Sequence, residues 1–315
     1  MTGRTRTLRA RLASETPWSS RPTRKVRAEP SVRVVGLALA IGAMAGAPAA
    51  VPAQAPPPQG LAAEALANRS FSWIHRSLPR FRVYFLAGSY AARHQDSLLA
   101  RLPYAFHHAE TLLHVSSLAG PIDLFFLESR AQMIALIGQR ATGFAQASAR
   151  AVFLVTNPGW RAFERHEIMH VVAGQAWGPP GPDTAWLQEG LAQAADGRCD
   201  RYSNAGVLLA LTRRRGWIPL EAVLTNFRAQ PDLRAYLQAA AFVDYLLRTV
   251  GPAALAPLWR RGATDSTLLG ARTLRSLEHA WREALADGPE PDAADLTRIE
   301  ATGCGGGPPP ALPGH

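Results

Sequence analysis

The sequence predicts an α+β protein whose small N-terminal sheet packs on one long helix and is followed by a mostly helical half. Three observations carry this. Apolar runs of strand length, FRVYFLAG (81–88), PIDLFFLES (121–129) and ARAVFLVT (149–156), all lie in the first half of the chain. After Asn157-Pro158-Gly159 the apolar spacing becomes helical and stays so to the end of the folded part. Strands first and helices afterwards is the order of an α+β domain rather than of repeated βαβ units.

Taken in chain order, residues 1–55 read as a basic leader with a secretory signal. Nine basic side chains stand against two acidic ones in residues 1–33, and the apolar run VVGLALAIGAMAGAPAAV (34–51) follows. Ala53-Gln54-Ala55 then has the small-residue form of a cleavage site. Export to the periplasm or medium is the expectation. The alternative is an uncleaved membrane anchor at 34–51, just long enough to span a bilayer. Residues 56–69 read as a Pro-rich linker, and 70–300 as the globular domain, with its sheet-containing half at about 70–160 and its helical half at about 161–300. Residues 301–315 form a Gly/Pro tail. Within the domain, 89–115 reads as a helix between the first two strands.

Charge argues against nucleic acid. The formal net charge is +10, but the leader holds most of it, and from Pro56 onward 25 basic side chains face 22 acidic ones. No basic stripe with interleaved aromatics appears. A membrane is expected as a partner only if the leader stays attached. The two cysteines, Cys199 and Cys304, suit an exported chain with at most one disulfide, and equally two free thiols.

The chemistry concentrates in RHEIMHVVAGQAWG (165–178). His166 and His170 are four apart, so on a helix they project from one face a turn apart. Two hydrogen-bonded core histidines would account for them. A zinc site explains more, because Glu167 is then placed beside the metal's open position. Such a site needs a third protein ligand. The helix is stopped by Gly178-Pro179-Pro180, and a new one, with Asp183 or Thr184 as N-cap, carries WLQEGLA (186–192). Glu189 lies among apolar neighbours there, where a carboxylate requires a cation. The reading is therefore one Zn²⁺ per chain on His166, His170 and Glu189, with Glu167 as general base.

HEIMH with Glu189 in WLQEGLA resembles the gluzincins, zinc metallopeptidases of the peptidase MA-like superfamily with an HExxH helix and a glutamate ligand on the next helix. WIPLEAVL (217–224), AYLQAAAFVDYLLRTVG (235–251) and LEHAWREAL (277–285) look like the helical closing half of such zincin-like domains. The resemblance implies hydrolysis of peptide bonds in a peptide or protein substrate. It implies a tyrosine donor to the oxyanion, for which Tyr236 matches a Y-x-x-x-A pattern and Tyr245 is the rival. Similar enzymes often carry an acidic residue one turn after the glutamate ligand, steadying a ligand histidine. Gln193 stands there in this chain, and Asp196 is another candidate. Zincin substrates commonly lie along the strand before the metal helix, here near GFAQASARAVF (143–153). That stretch carries no acidic motif to capture a free N-terminus, which tilts the reading toward an endopeptidase. The alternative is a gluzincin-like domain without catalysis, serving as an envelope binding or scaffold module. His107, Glu110 and His114 in AFHHAETLLH read as the polar face of an amphipathic helix.

Overall fold

Why the three strands are buried follows from how their side chains alternate. In the computed structural model, which describes residues 55–116, 118, 120–285 and 289–305, β1 (Trp73–Leu78), β2 (Phe81–Leu86), β3 (Ile122–Leu127), β4 (Gly143–Gln146) and β5 (Ala151–Val155) form one sheet in the order β1-β2-β3-β5-β4. Strands β2, β3 and β5 run parallel, and β1 and β4 are antiparallel edges. Phe81, Val83, Phe85, Leu124, Phe126, Val152 and Leu154 point to one face; Tyr84, Phe125, Leu127, Phe153 and Val155 point to the other. Both faces are covered, so the three central strands read as nearly unbroken apolar runs.

The first face packs on α3 (Gln95–Leu113) and on α5 (Glu164–Trp177), through Leu98, Leu102 and Phe106 of the former and Ile168, Met169 and Val172 of the latter. The second face is closed by α1 (Leu61–Ala67) and α4 (Arg130–Ile137), which contribute Ala62, Ala65 and Met133. Helix α1 falls within 56–69, the stretch read as a linker, and its buried alanines make it part of the domain. The stretch 89–115 is two helices, since α2 (Tyr90–Arg93), capped by Ser89 Oγ accepting from Ala92 N at 3.1 Å, ends at His94 before α3 begins.

Beyond β5 the described residues form helices and two two-stranded hairpins. In order come α6 (Ala185–Asp196), β6 (Arg198–Cys199), β7 (Tyr202–Ser203), α7 (Asn204–Arg215), α8 (Leu220–Thr225), α9 (Asp232–Thr249) and α10 (Pro252–Arg261). Then follow β8 (Leu268–Leu269), β9 (Arg272–Thr273), α11 (Leu274–Ala284) and α12 (Ala293–Thr302). The α+β class read from the sequence is the class observed. Helices α6 and α9 approach closely because of Gly190: a Cβ there would stand 2.9 Å from both the Ala239 carbonyl oxygen and Val243 Cγ2. Cys199 and Cys304 are joined in a disulfide. Of the stretch read as a tail from 301, residues 301 and 302 close α12, and the disulfide holds Gly303–Gly305 against the domain, where Gly305 packs on Phe163. Among the described residues no helix is long and apolar enough to cross a membrane. The apolar run 34–51 and the cleavage motif at Ala53-Gln54 lie outside the described residues, as do 306–315.

Candidate metal centre

Helix α5 places His166 and His170 one turn apart with ring centroids 4.9 Å from each other. The turn that returns the chain to Glu189 is set by tertiary contacts. Gly178 ends α5 at φ +82°, and its carbonyl accepts from Trp259 Nε1 at 2.8 Å. Gly181 N donates to Trp259 O at 2.8 Å, and a Cβ on Gly181 would fall 2.2 Å from Arg260 O, so only glycine lets this turn lie flat on α10. Of the two candidate caps, Thr184 occupies the N-cap position of α6. Its hydroxyl does not cap; it donates to Gly181 O at 2.7 Å and accepts from Gln188 Nε2 at 2.9 Å, tying the turn together.

Three donors converge as a result. His166 Nε2 and His170 Nε2 are 3.2 Å apart, and Glu189 Oε2 lies 3.3 Å from the first and 3.6 Å from the second. Ligands about 2.0–2.1 Å from a tetrahedral zinc are about 3.3–3.4 Å from one another, so the three spacings match the edges of such a shell. The group can hold a metal ion, and it is the only such cluster of three among the described residues. His107, Glu110 and His114 instead line a separate small cavity beside Arg80.

The electrostatics of the bare protein show how strongly these groups seek a cation. Burial works to lower the His166 pKa, but the hydrogen bond to Glu189 and the charges of Glu167, Glu189 and Asp196 outweigh it and hold the imidazole up to about 9. Burial would raise the Glu189 carboxyl, yet its bonds to His166 and His170 pull it well below the usual range. A proton thus stands where a metal would, and the two compete for the same nitrogen.

Glu167 is 6% exposed, and burial pushes its carboxyl up against the opposing pull of His166 and His170. That moves it toward the range suited to a base working near neutrality. It lies directly beneath the edge strand: a Cβ on Gly143 would be 2.2 Å from Glu167 Oε1. Neither Gln193 nor Asp196 bonds to His166. The Gln193 amide donates to Asn204 Oδ1 at 3.0 Å and to Arg198 O at 3.3 Å, while Asp196 is taken by a bidentate pair with Arg161. His166 Nδ1 is buried with no hydrogen-bond partner in the structure. Asp196 acts on it through charge alone.

His166, Glu167, His170 and Glu189 line one cleft of about 1610 Å³, whose walls include β4 and the first two turns of α9. Tyr236 lines the same cleft and packs on Phe227 with ring centroids 5.3 Å apart; Tyr245, like Tyr236 half-buried against the core, is not among the residues lining the cleft. Gly143, Gly181 and the Arg161–Asp196 pair were not singled out from the sequence; a glycine opening a strand was the one available signal. No family model matches the chain, and no curated protein matches it either.

Proposed function

We propose that this protein is an exported zinc-dependent peptidase of the gluzincin kind, hydrolysing internal peptide bonds of peptide or protein substrates. The observation that carries the reading is the convergence of His166, His170 and Glu189 at tetrahedral spacing with Glu167 buried beside them. Two histidines and a carboxylate are a zinc donor set, and they leave a fourth position open. Bound there, zinc would act as a Lewis acid and make water nucleophilic near neutral pH.

The chain's own groups do the rest. Glu167 accepts the proton of the attacking water as its oxygen bonds to the scissile carbonyl carbon. The same carboxyl then delivers that proton to the amide nitrogen as the C–N bond breaks, leaving an acid and an amine. Tyr236 donates to the carbonyl oxygen as negative charge develops on it. β4 is an edge strand on the cleft wall, so its outer backbone groups can pair with an extended peptide. The disulfide and the leader sequence support an oxidising compartment.

The test is Glu167→Gln compared with wild type on a broad peptide library, with metal analysis alongside. The variant should keep one zinc per chain while cleavage falls at least about 10²-fold. Equal cleavage by both proteins overturns the reading. A zinc-loaded wild type that cleaves nothing replaces it with a partner-binding domain.

A further inference from the structure

We infer that the cleft selects peptide segments bearing acidic side chains, an inference that rests on the peptidase reading for its reaction but on separate residues for its evidence. Among the described residues, the arginines and carboxylates that line the cleft are Arg130, Arg215, Arg228, Arg234, Glu167, Glu189 and Glu300. Two of the three glutamates belong to the metal centre, where a divalent cation would balance them. Glu300 is already shared, at 3.0 Å from Arg215 Nε and 3.6 Å from Arg214 Nη1.

Three guanidinium groups therefore face the cleft without a carboxylate within ion-pair distance among the described residues. Arg234 donates to two backbone carbonyls, Arg215 O at 2.7 Å and Gly216 O at 3.0 Å. Arg130 lies over the Trp160 ring, 5.2 Å from its centroid. Arg228 sits exposed in the short 3₁₀ turn Phe227–Ala229. Two buried arginines elsewhere do find carboxylates, Arg82 on Asp123 and Arg161 on Asp196. Like charges gathered in a concave site raise the local concentration of opposite charge, and guanidinium is the side chain that grips a carboxylate through two parallel bonds. Phe227, Leu233 and Leu237 line the same cleft. The cleft thus offers apolar contact flanked by positive charge, which fits a substrate segment mixing Asp or Glu with aliphatic residues.

The test uses the full chain carrying Glu167→Gln, loaded with zinc, and three labelled peptides of one apolar pattern with Glu, Gln or Lys at the polar positions. Fluorescence anisotropy at about 0.05 M salt should show the Glu peptide binding at least roughly tenfold tighter than the Gln peptide, with the preference largely erased at about 0.5 M. Adding Arg228→Glu, or in a second variant Arg130→Glu, should weaken the Glu peptide several-fold and strengthen the Lys peptide. Equal binding of the three peptides, a preference for Lys, equal shifts of both charged peptides in the reversed variants, or tighter binding of a single-stranded oligonucleotide overturns the inference. Parallel rates on wild type separate the two readings. Selective binding without any cleavage leaves the charge selection standing and removes the peptidase. Cleavage of all three peptides at one kcat/KM does the reverse.

Discussion

Replacing Gly143 by alanine probes the general base without touching it. A Cβ at this position would lie 2.2 Å from Glu167 Oε1, 2.8 Å from Cδ and 3.0 Å from Cγ. Carbon and oxygen that are not bonded settle roughly 3.2–3.5 Å apart, so relief requires the carboxylate or β4 to move by about 1 Å. A misplacement of about 1 Å at reacting groups costs on the order of 10²-fold in rate, equivalent to about 2.7 kcal/mol of barrier. The assay is kcat/KM on the best library peptide, with zinc content measured in parallel. The expected result is a loss near that size with zinc unchanged, since the three atoms nearest the new methyl group all belong to Glu167 rather than to a metal ligand. In the Glu167→Gln background the same substitution should cost little more, because the group it displaces no longer works. Full activity for Gly143→Ala, or an equal further loss when it is added to Glu167→Gln, refutes the reasoning that β4 positions the base.

Two further outcomes follow from the same geometry. In the metal-free protein, His166 is raised from 6.5 to about 9, which stabilises the fold by about 3 kcal/mol below pH 6.5; this contribution is lost as pH rises through about 9, and urea unfolding across that window measures it. Saturating zinc should reverse the trend, because metal binding needs the neutral imidazole; an unchanged pH profile with zinc contradicts the competition. Tyr236→Phe should lower kcat by about 10²–10³-fold with little change in zinc content, and an unchanged kcat takes Tyr236 out of the oxyanion site.

What could be read from the sequence was whatever is encoded by local spacing. The i, i+4 histidines, the glutamate between them and the apolar strands each declare themselves within a few residues, and Glu189 follows from the demand of a half-built site. Elements whose identity depends on what covers them were harder to see. β1 is a partly exposed edge strand whose WIHRSL lacks clean alternation. α1 begins just after a proline run, and its fully buried residues are only two alanines, with Leu61 half-buried beside them. α4 has a capping box at Ser129 and Gln132 but little amphipathic contrast. The fine structure of the site is tertiary throughout. Gly143 meets Glu167 across 24 positions, Arg161 reaches Asp196 across 35, and Cys304 finds Cys199 across 105. No window of sequence holds both members of such a pair. The cleft's arginines likewise come from α4, α7, the turn after α8 and α9, and only folding brings them to one cleft.

Everything proposed about chemistry depends on a metal seated between two imidazoles and one carboxylate. Crystals of the zinc-loaded chain, measured on either side of the zinc absorption edge, test this directly. The account predicts one strong anomalous peak per chain, about 2.0–2.2 Å from His166 Nε2, His170 Nε2 and a Glu189 carboxylate oxygen. Zinc-replete crystals with no peak there, or with a peak that Glu189 does not ligate, would contradict it.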